Sequence, residues 1–267
     1  MIQNLLSSAA SGGSVSQSLF QSIQKMVSGQ RINNAADDPA GSGVLTSIET
    51  VGQSERASVK AINDGMNLLQ GVDGAASKIQ DNLVRMRELS VVAASDTLGE
   101  AGRASINEEV GQLRDEINRI AETTEFNGIQ LANGAQPAIE VQAGPDGADQ
   151  VTIDTPDLTT TALGVDGIDL STSAGAQAAI DALDAAMQEV GSVRSDAGAQ
   201  HNRLTSAVES GSDRILNQAA AASRIGDTDF ALESSRNANL QLQQQASLSA
   251  QVQGQNLSRS AATMLLG

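Results

Sequence analysis

Apolar residues recur at helical spacing through most of this chain, and the places where the pattern stops divide it. Val59, Ile62, Met66 and Leu69 step by three and four. Val72 follows after three rather than four, and the pattern resumes at Ala76, Ile79, Leu83 and Met86. A mostly heptad stripe of this kind is the seam of a left-handed coiled packing, locally overwound at the shortened step. The spacing predicts a helix over 44–94, roughly 75 Å long at 1.5 Å per residue. Asp96 to Gly102 reads as a turn, and Ile106, Val110, Leu113, Ile117 and Ile120 as a shorter helix folding back. Phe126-Asn127-Gly128 ends that region. Ile139 and Val141 then alternate against Val151 and Ile153 across Gly144-Pro145-Asp146-Gly147, which predicts a β-hairpin placed near the fold-back. Thr155 to Ala174 is rich in Thr, Ser, Gly and Asp and reads as irregular.

A last long helix is expected over 176–225. Ile180, Met187, Arg194, His201, Val208 and Ile215 share one heptad position; Leu183, Val190, Ala197, Leu204, Gly211 and Gln218 share its partner. Both ends of the chain repeat the helical spacing more weakly. Residues 1–35 carry Ile2, Leu5, Leu6, Ala9, Leu19, Phe20, Ile23, Met26 and Val27, interrupted at Ser11-Gly12-Gly13-Ser14; 228–266 is amphipathic and Gln-rich. Between the first segment and the seam lies a joint, Ser28 to Leu45. There Asn33-Asn34 and Asp37-Asp38 compete with helical hydrogen bonding. Pro39 makes Asp38 an N-cap with proline at the first helical position, and Gly226-Asp227 mirrors this break. The fold expected is mainly α: an elongated antiparallel coiled-coil rod, one small β-hairpin region, and paired N- and C-terminal helices. The divisions are 1–43 (terminal helix and joint), 44–130 (rod helices), 131–175 (hairpin and irregular region), 176–225 (rod helix) and 226–267 (terminal helix).

Composition sharpens this picture. Aromatic residues are 1% of the chain, namely Phe20, Phe126 and Phe230, so a thick globular core is not expected. Small and unbranched residues suit narrow seams instead. The net charge is −16, and all 32 acidic residues lie between Asp37 and Glu233. The two ends hold only Lys25, Arg31, Arg236 and Arg259. Helical segments so poor in charge are candidates for burial in a partner, and the acidic middle argues against nucleic-acid binding. No run approaches the ~20 apolar residues of a membrane span. The start, Met1-Ile2-Gln3-Asn4-Leu5-Leu6, has neither the basic region nor the apolar run of a secretory signal.

Site chemistry is sparse. With His201 as the single histidine and no cysteine, no two-His zinc site and no thiolate site is possible. Gly41-Ser42-Gly43 is too short for a phosphate loop. Glu108-Glu109 and Asp115-Glu116 read as exposed helix faces, and Asp166-Gly167-Ile168-Asp169 lacks the EF-hand spacing. No enzyme, cofactor or metal is expected.

Several stretches carry a family resemblance. Met26-Val27-Ser28-Gly29-Gln30-Arg31-Ile32-Asn33 with Ala35-Ala36-Asp37-Asp38-Pro39-Ala40-Gly41 resembles the N-terminal signature of bacterial flagellins. Asn63-Asp64-Gly65-Met66, Arg85-Met86-Arg87-Glu88-Leu89 and Phe126-Asn127-Gly128 follow, and then Arg194 to Gln200, Arg224 to Ala231 and Gln243-Gln244-Gln245-Ala246, in family order. The resemblance implies a secreted structural subunit, exported unfolded by the flagellar type III system and polymerised into the flagellar filament. The hook–filament junction protein of the same family is the alternative. Leu5, Leu6, Leu19, Phe20, Ile23, Leu240, Leu248, Val252, Leu257 and Leu265 are the expected polymerisation interface. Implied partners are further copies of the chain, an export chaperone at the C-terminal segment, and the hook-associated and cap proteins. Arg85, Leu89 and Glu109 match family positions recognised by the vertebrate innate immune receptor for flagellin. Relatives carry a large outer insertion after the hairpin; the short stretch 154–175 leaves only the two inner domains. The N-terminus before Ser28 is shorter than usual, and the C-terminus lacks the proline and arginine often seen there.

Overall fold

The computed structural model describes residues 2–136 and 138–266, with side chains described over 13–136, 138–257 and 259–260. Helices α1 (Ile2–Ser28), α2 (Pro39–Ala93), α3 (Glu100–Thr123), α4 (Ser173–Gly226) and α5 (Phe230–Leu266) account for most of the chain. Two antiparallel pairs lie between α3 and α4: β1 (Glu125–Phe126) with β2 (Ile129–Gln130), and β3 (Ala138–Gln142) with β4 (Gln150–Asp154). The chain divides into two compact units, 53–215 and the joined ends 1–52 with 216–267.

In the unit 53–215 the apolar seam closes as its spacing predicts. Ile62, Leu69, Val72, Ala76, Ile79, Leu83 and Met86 of α2 are all buried, while Val59 and Met66 are half-buried at its edge. On α4 the two heptad positions are unequal: Leu183, Val190, Ala197, Leu204 and Gly211 are buried, whereas Ile180, Met187, Arg194, His201 and Val208 are half-buried. α2 and α4 run antiparallel, since their ion pairs count in opposite directions. Arg87 Nε meets Asp184 Oδ1 at 2.6 Å, Arg194 Nε meets Asp73 Oδ1 at 2.9 Å, and Arg214 Nε meets Glu55 Oε1 at 2.7 Å. α3 folds back and adds Val110, Ile117, Ile120 and Ala121 to the same core.

The β3–β4 hairpin has the expected register, Ile139 opposite Ile153 and Val141 opposite Val151. Its position corrects the expectation that it sits near the fold-back. Val141 and Ile153 pack with Ile62, Leu68 and Leu204, and Ser58 Oγ donates to Gly144 O at 2.8 Å. The reason is length: the 24 residues of α3 carry the chain back along α2 before the hairpin begins. Gly65 makes room there, for a Cβ would stand 3.1 Å from both Ile153 Cδ1 and Val141 Cγ2. The fold-back is covered instead by the irregular stretch 155–172. It buries Leu158, Leu163, Val165, Ile168 and Leu170, and Ser173 Oγ donates to Ala94 O at 2.9 Å. Two α3 amides hold it: Asn118 Oδ1 accepts from Thr160 N and Oγ1 at 3.0 Å, and Asn107 Oδ1 from Leu170 N at 2.9 Å.

In the joined ends, the joint between α1 and α2 forms as read. Asp38 caps α2 by accepting from Gly41 N at 2.9 Å, and Asp37 Oδ2 accepts from Asn33 N and Asn34 N at 3.1 Å. Gly29, at φ 72°, takes the left-handed position that closes α1. One expectation fails: α1 runs unbroken through Ser11-Gly12-Gly13-Ser14. A helical glycine costs about 1 kcal/mol relative to alanine, too little to break a helix that has a partner along its length. That partner is α5.

Candidate assembly surface

α1 and α5 are brought together by their joints. Gln30 and Asp227 form an antiparallel bridge, Thr228 N donates to Gly29 O at 2.9 Å, and Arg31 N donates to Gly226 O at 2.6 Å. Arg31 Nη2 adds a bond to Ile225 O at 2.7 Å. Further along, Gln244 Nε2 donates to Ser16 Oγ at 3.3 Å, so the pairing persists over several turns.

What this pair buries most fully, among the described residues, is polar. Of the side chains described, Ser22, Glu233 and Asn237 are the buried ones of α1 and α5, and Gln241 Nε2 donates to Asn237 Oδ1 at 2.7 Å. What it exposes is large and apolar. Phe20, Ile23 and Val27, one stripe of α1, are 69%, 42% and 83% exposed. Phe230, Leu232, Leu242, Leu248, Val252 and Leu257 of α5 are likewise exposed. Large apolar side chains left exposed in such number on one helix pair are the mark of an interaction surface. With four cations and no acid outside 37–233, little charge interrupts it.

Of the residues expected in a polymerisation interface, Phe20, Ile23, Leu248, Val252 and Leu257 lie on this exposed surface. Leu19 and Leu240 are half-buried. The side chains of Leu5, Leu6 and Leu265 lie outside the described residues. Val27, Phe230, Leu232 and Leu242 join the surface unannounced, though Val27 continues the four-residue step from Ile23.

The second candidate group lies in the unit 53–215. Arg85 spans α2 and α3, with Nη2 at 2.8 Å from Glu109 Oε1 and Nη1 at 3.2 Å from Glu88 Oε2. These two carboxylates, Glu109 foremost, hold the guanidinium above its ordinary value. Leu89 is not beside them at the surface: it is 7% exposed and packed in the α2–α3 core. His201 lines an open groove of about 270 Å³ with Leu69, Asp73, Gly74, Arg194 and Gly198. Among the described residues no group of three His, Cys, Asp or Glu side chains is placed to hold a metal ion, and no helix is long and apolar enough to cross a membrane.

Comparison with known proteins gives the same architecture. Residues 3–136 match the bacterial flagellin N-terminal helical region and residues 180–265 the C-terminal helical region. The chain is 33% identical over 215 residues to a flagellin of Halalkalibacterium halodurans, covering 80% of this chain and 79% of that one. It is 32% identical over 264 residues to a flagellar filament core protein of Brachyspira hyodysenteriae, with 92% of each chain covered. Among solved structures, Bacillus cereus flagellin superposes with a TM-score of 0.51 at 34% identity, over 56% of this chain and 86% of that one. Two terminal helical regions in the right order, with relatives matched across most of the chain, place this protein in the bacterial flagellin family.

Proposed function

We propose that this chain assembles into the flagellar filament by coupled folding and polymerisation, its terminal helices completing their burial only against neighbouring copies. The family supports a structural subunit of the extracellular filament. The observation that carries the mechanism is the inverted burial of the α1–α5 pair, which encloses Ser22 and Asn237 and leaves Phe20, Val27, Leu248 and Leu257 outside. Burying one such side chain stabilises by roughly 1.5–3 kcal/mol. Several per subunit outweigh the entropy of ordering the ends only when neighbours supply the cover. Contacts that repeat head to tail without closing then propagate a helix of subunits.

Export in an unfolded state through the flagellar type III system fits the family and ends that are incomplete alone. By the same resemblance an export chaperone binds 226–267, and hook-associated and cap proteins bound the filament. The exposed Arg85–Glu109 pair supports recognition by the vertebrate innate immune receptor, with Leu89 acting from beneath by holding α2 against α3. Seeded polymerisation of the full chain beside chains lacking 1–30 or 236–267 tests the mechanism. Both truncations are expected to keep the helical unit 53–215 and to form no filaments; filaments from either would overturn it.

A further inference from the structure

One layer of the α2–α4 seam breaks its rule. Counting down by sevens along α2 from Ala76 and Leu69 through Ile62 arrives at Glu55, and counting up along α4 from Ala197 through Leu204 arrives at Gly211. Glu55 therefore occupies a seam position, and it is fully buried, with 0% of its surface exposed. The glycine opposite is required by contact: a Cβ at 211 would stand 2.9 Å from Val59 Cγ2 and 3.3 Å from Glu55 Oε1. Arg214, one turn further on, reaches over to Glu55 Oε1 from a half-exposed position and is steadied by Ser210 Oγ at 3.0 Å. Glu55 Oε2 is buried with no partner. A carboxylate enclosed this way and only half satisfied is a poor device for stability.

The apolar layers cannot choose their own register. Counted by heptads from the Glu55–Gly211 contact, Ile62 falls at the level of Leu204, Leu69 of Ala197, Ala76 of Val190 and Leu83 of Leu183, each pair within one core cluster. Sliding α4 by one heptad would set the same four residues against Ala197, Val190, Leu183 and Ala176, which is again apolar on apolar. Within the buried seam only the Glu55 layer changes its chemistry; at the rim the slide also parts the half-exposed Arg87–Asp184 and Arg194–Asp73 pairs. At Glu55 the slide exchanges Gly211 for Leu204 and takes Arg214 away, leaving a bare carboxylate against a leucine. We infer that Glu55, with Gly211 opposite and Arg214 as its clasp, selects the register in which α2 and α4 close. It is a positioning residue, set where a single polar seam residue fixes pairing at some loss of stability. This role goes beyond the filament function and does not depend on it.

The chain has no cysteine, so introduced pairs report contacts without background. Met66→Cys with Thr205→Cys marks the native register, because Thr205 Oγ1 lies 3.8 Å from Met66 Sδ. Met66→Cys with Gly198→Cys marks the slipped one, and a Cβ at Gly198 meets nothing within 4 Å. Each full-length pair is refolded from denaturant under mild oxidation with Glu55 intact, with Glu55→Leu, and with the size-conserving Glu55→Gln. With Glu55 intact only the native pair is expected to cross-link. Glu55→Leu should raise the slipped cross-link about tenfold, and Glu55→Gln by less. Folded variants that cross-link only in the native register would overturn the inference. So would a failure of both variants to fold, since a residue kept for register is replaceable without losing the fold.

Discussion

The two units of this protein use the same helical periodicity to opposite ends. In 53–215 the apolar stripe turns inward: Ile62, Ile79, Leu83, Met86, Leu183 and Leu204 are wholly buried by one chain. In the α1–α5 pair much of it turns outward: among the described residues the buried side chains are a serine, a glutamate and an asparagine, with Leu19 and Leu240 only half-buried. The difference is one of destination. A seam that closes within the chain makes an autonomous fold; one that faces out is, on the proposed mechanism, finished by another copy. The strength of the apolar stripe does not separate the two cases. The residues on the opposite face do, since Ser22 and Asn237 are small enough for a close helix pair and Phe20 is not.

Substitutions on the two stripes should therefore fail in different assays. The largest effect is expected from Phe20→Ser combined with Leu248→Ser, both exposed in the pair. Seeded filament growth should stop, while urea unfolding of the monomer shifts by less than about 0.5 kcal/mol. A comparable loss of monomer stability would break the comparison. Next comes the inward stripe. Ile79→Ala or Leu183→Ala leaves a cavity among fully buried neighbours and should cost about 2–5 kcal/mol in the same urea titration.

The receptor-matched group sharpens the contrast within one unit. Leu89→Ala should destabilise the unit 53–215 by about 2–3 kcal/mol, because the side chain is core. Arg85→Ala should leave the urea midpoint nearly unchanged, because its ion pairs are half-exposed and screened by solvent. Weakened activation of a receptor-reporter line by Arg85→Ala alone speaks for the surface pair; equal activation by Arg85→Ala and the parent contradicts the carry-over. The smallest effect is electrostatic. The Arg87 guanidinium, by hydrogen bond first and charge second, holds the Asp184 carboxyl below its usual range. Such a group stabilises the fold above the unfolded-state value of about 4 and loses that contribution as pH falls through its lower folded value. Asp184→Asn should flatten this part of the acid-stability profile, and an unchanged profile would remove Asp184 from it.

Much of this was legible in the residues. Asp38-Pro39 announced the joint because a cap followed by proline has one structural use, and Gly144-Pro145-Asp146-Gly147 between alternating segments announced the hairpin with its register. The heptads gave the buried face of α2 and α4 nearly position by position. Three features escaped for physical reasons. Leu158, Leu163, Val165, Ile168 and Leu170 have no period, and their burial depends on Asn107 and Asn118 far off in sequence. Glu55 is charged where the heptad asks for an apolar residue, so its burial shows only once Gly211 and Arg214 stand beside it. The direction of the terminal stripes was legible only as an absence of charge; which side chains face the partner helix followed from the pairing of the two joints.

The claim that the ends are completed by neighbours is tested most directly by hydrogen–deuterium exchange on one preparation, first as monomer and then as seeded filament. Amides of the unit 53–215 should be protected alike in both states. Amides of α1 and α5 should exchange freely in the monomer and become protected by at least about a hundredfold in the filament. Terminal helices as protected in the monomer as in the filament would show that the chain completes its own fold, and would contradict the account.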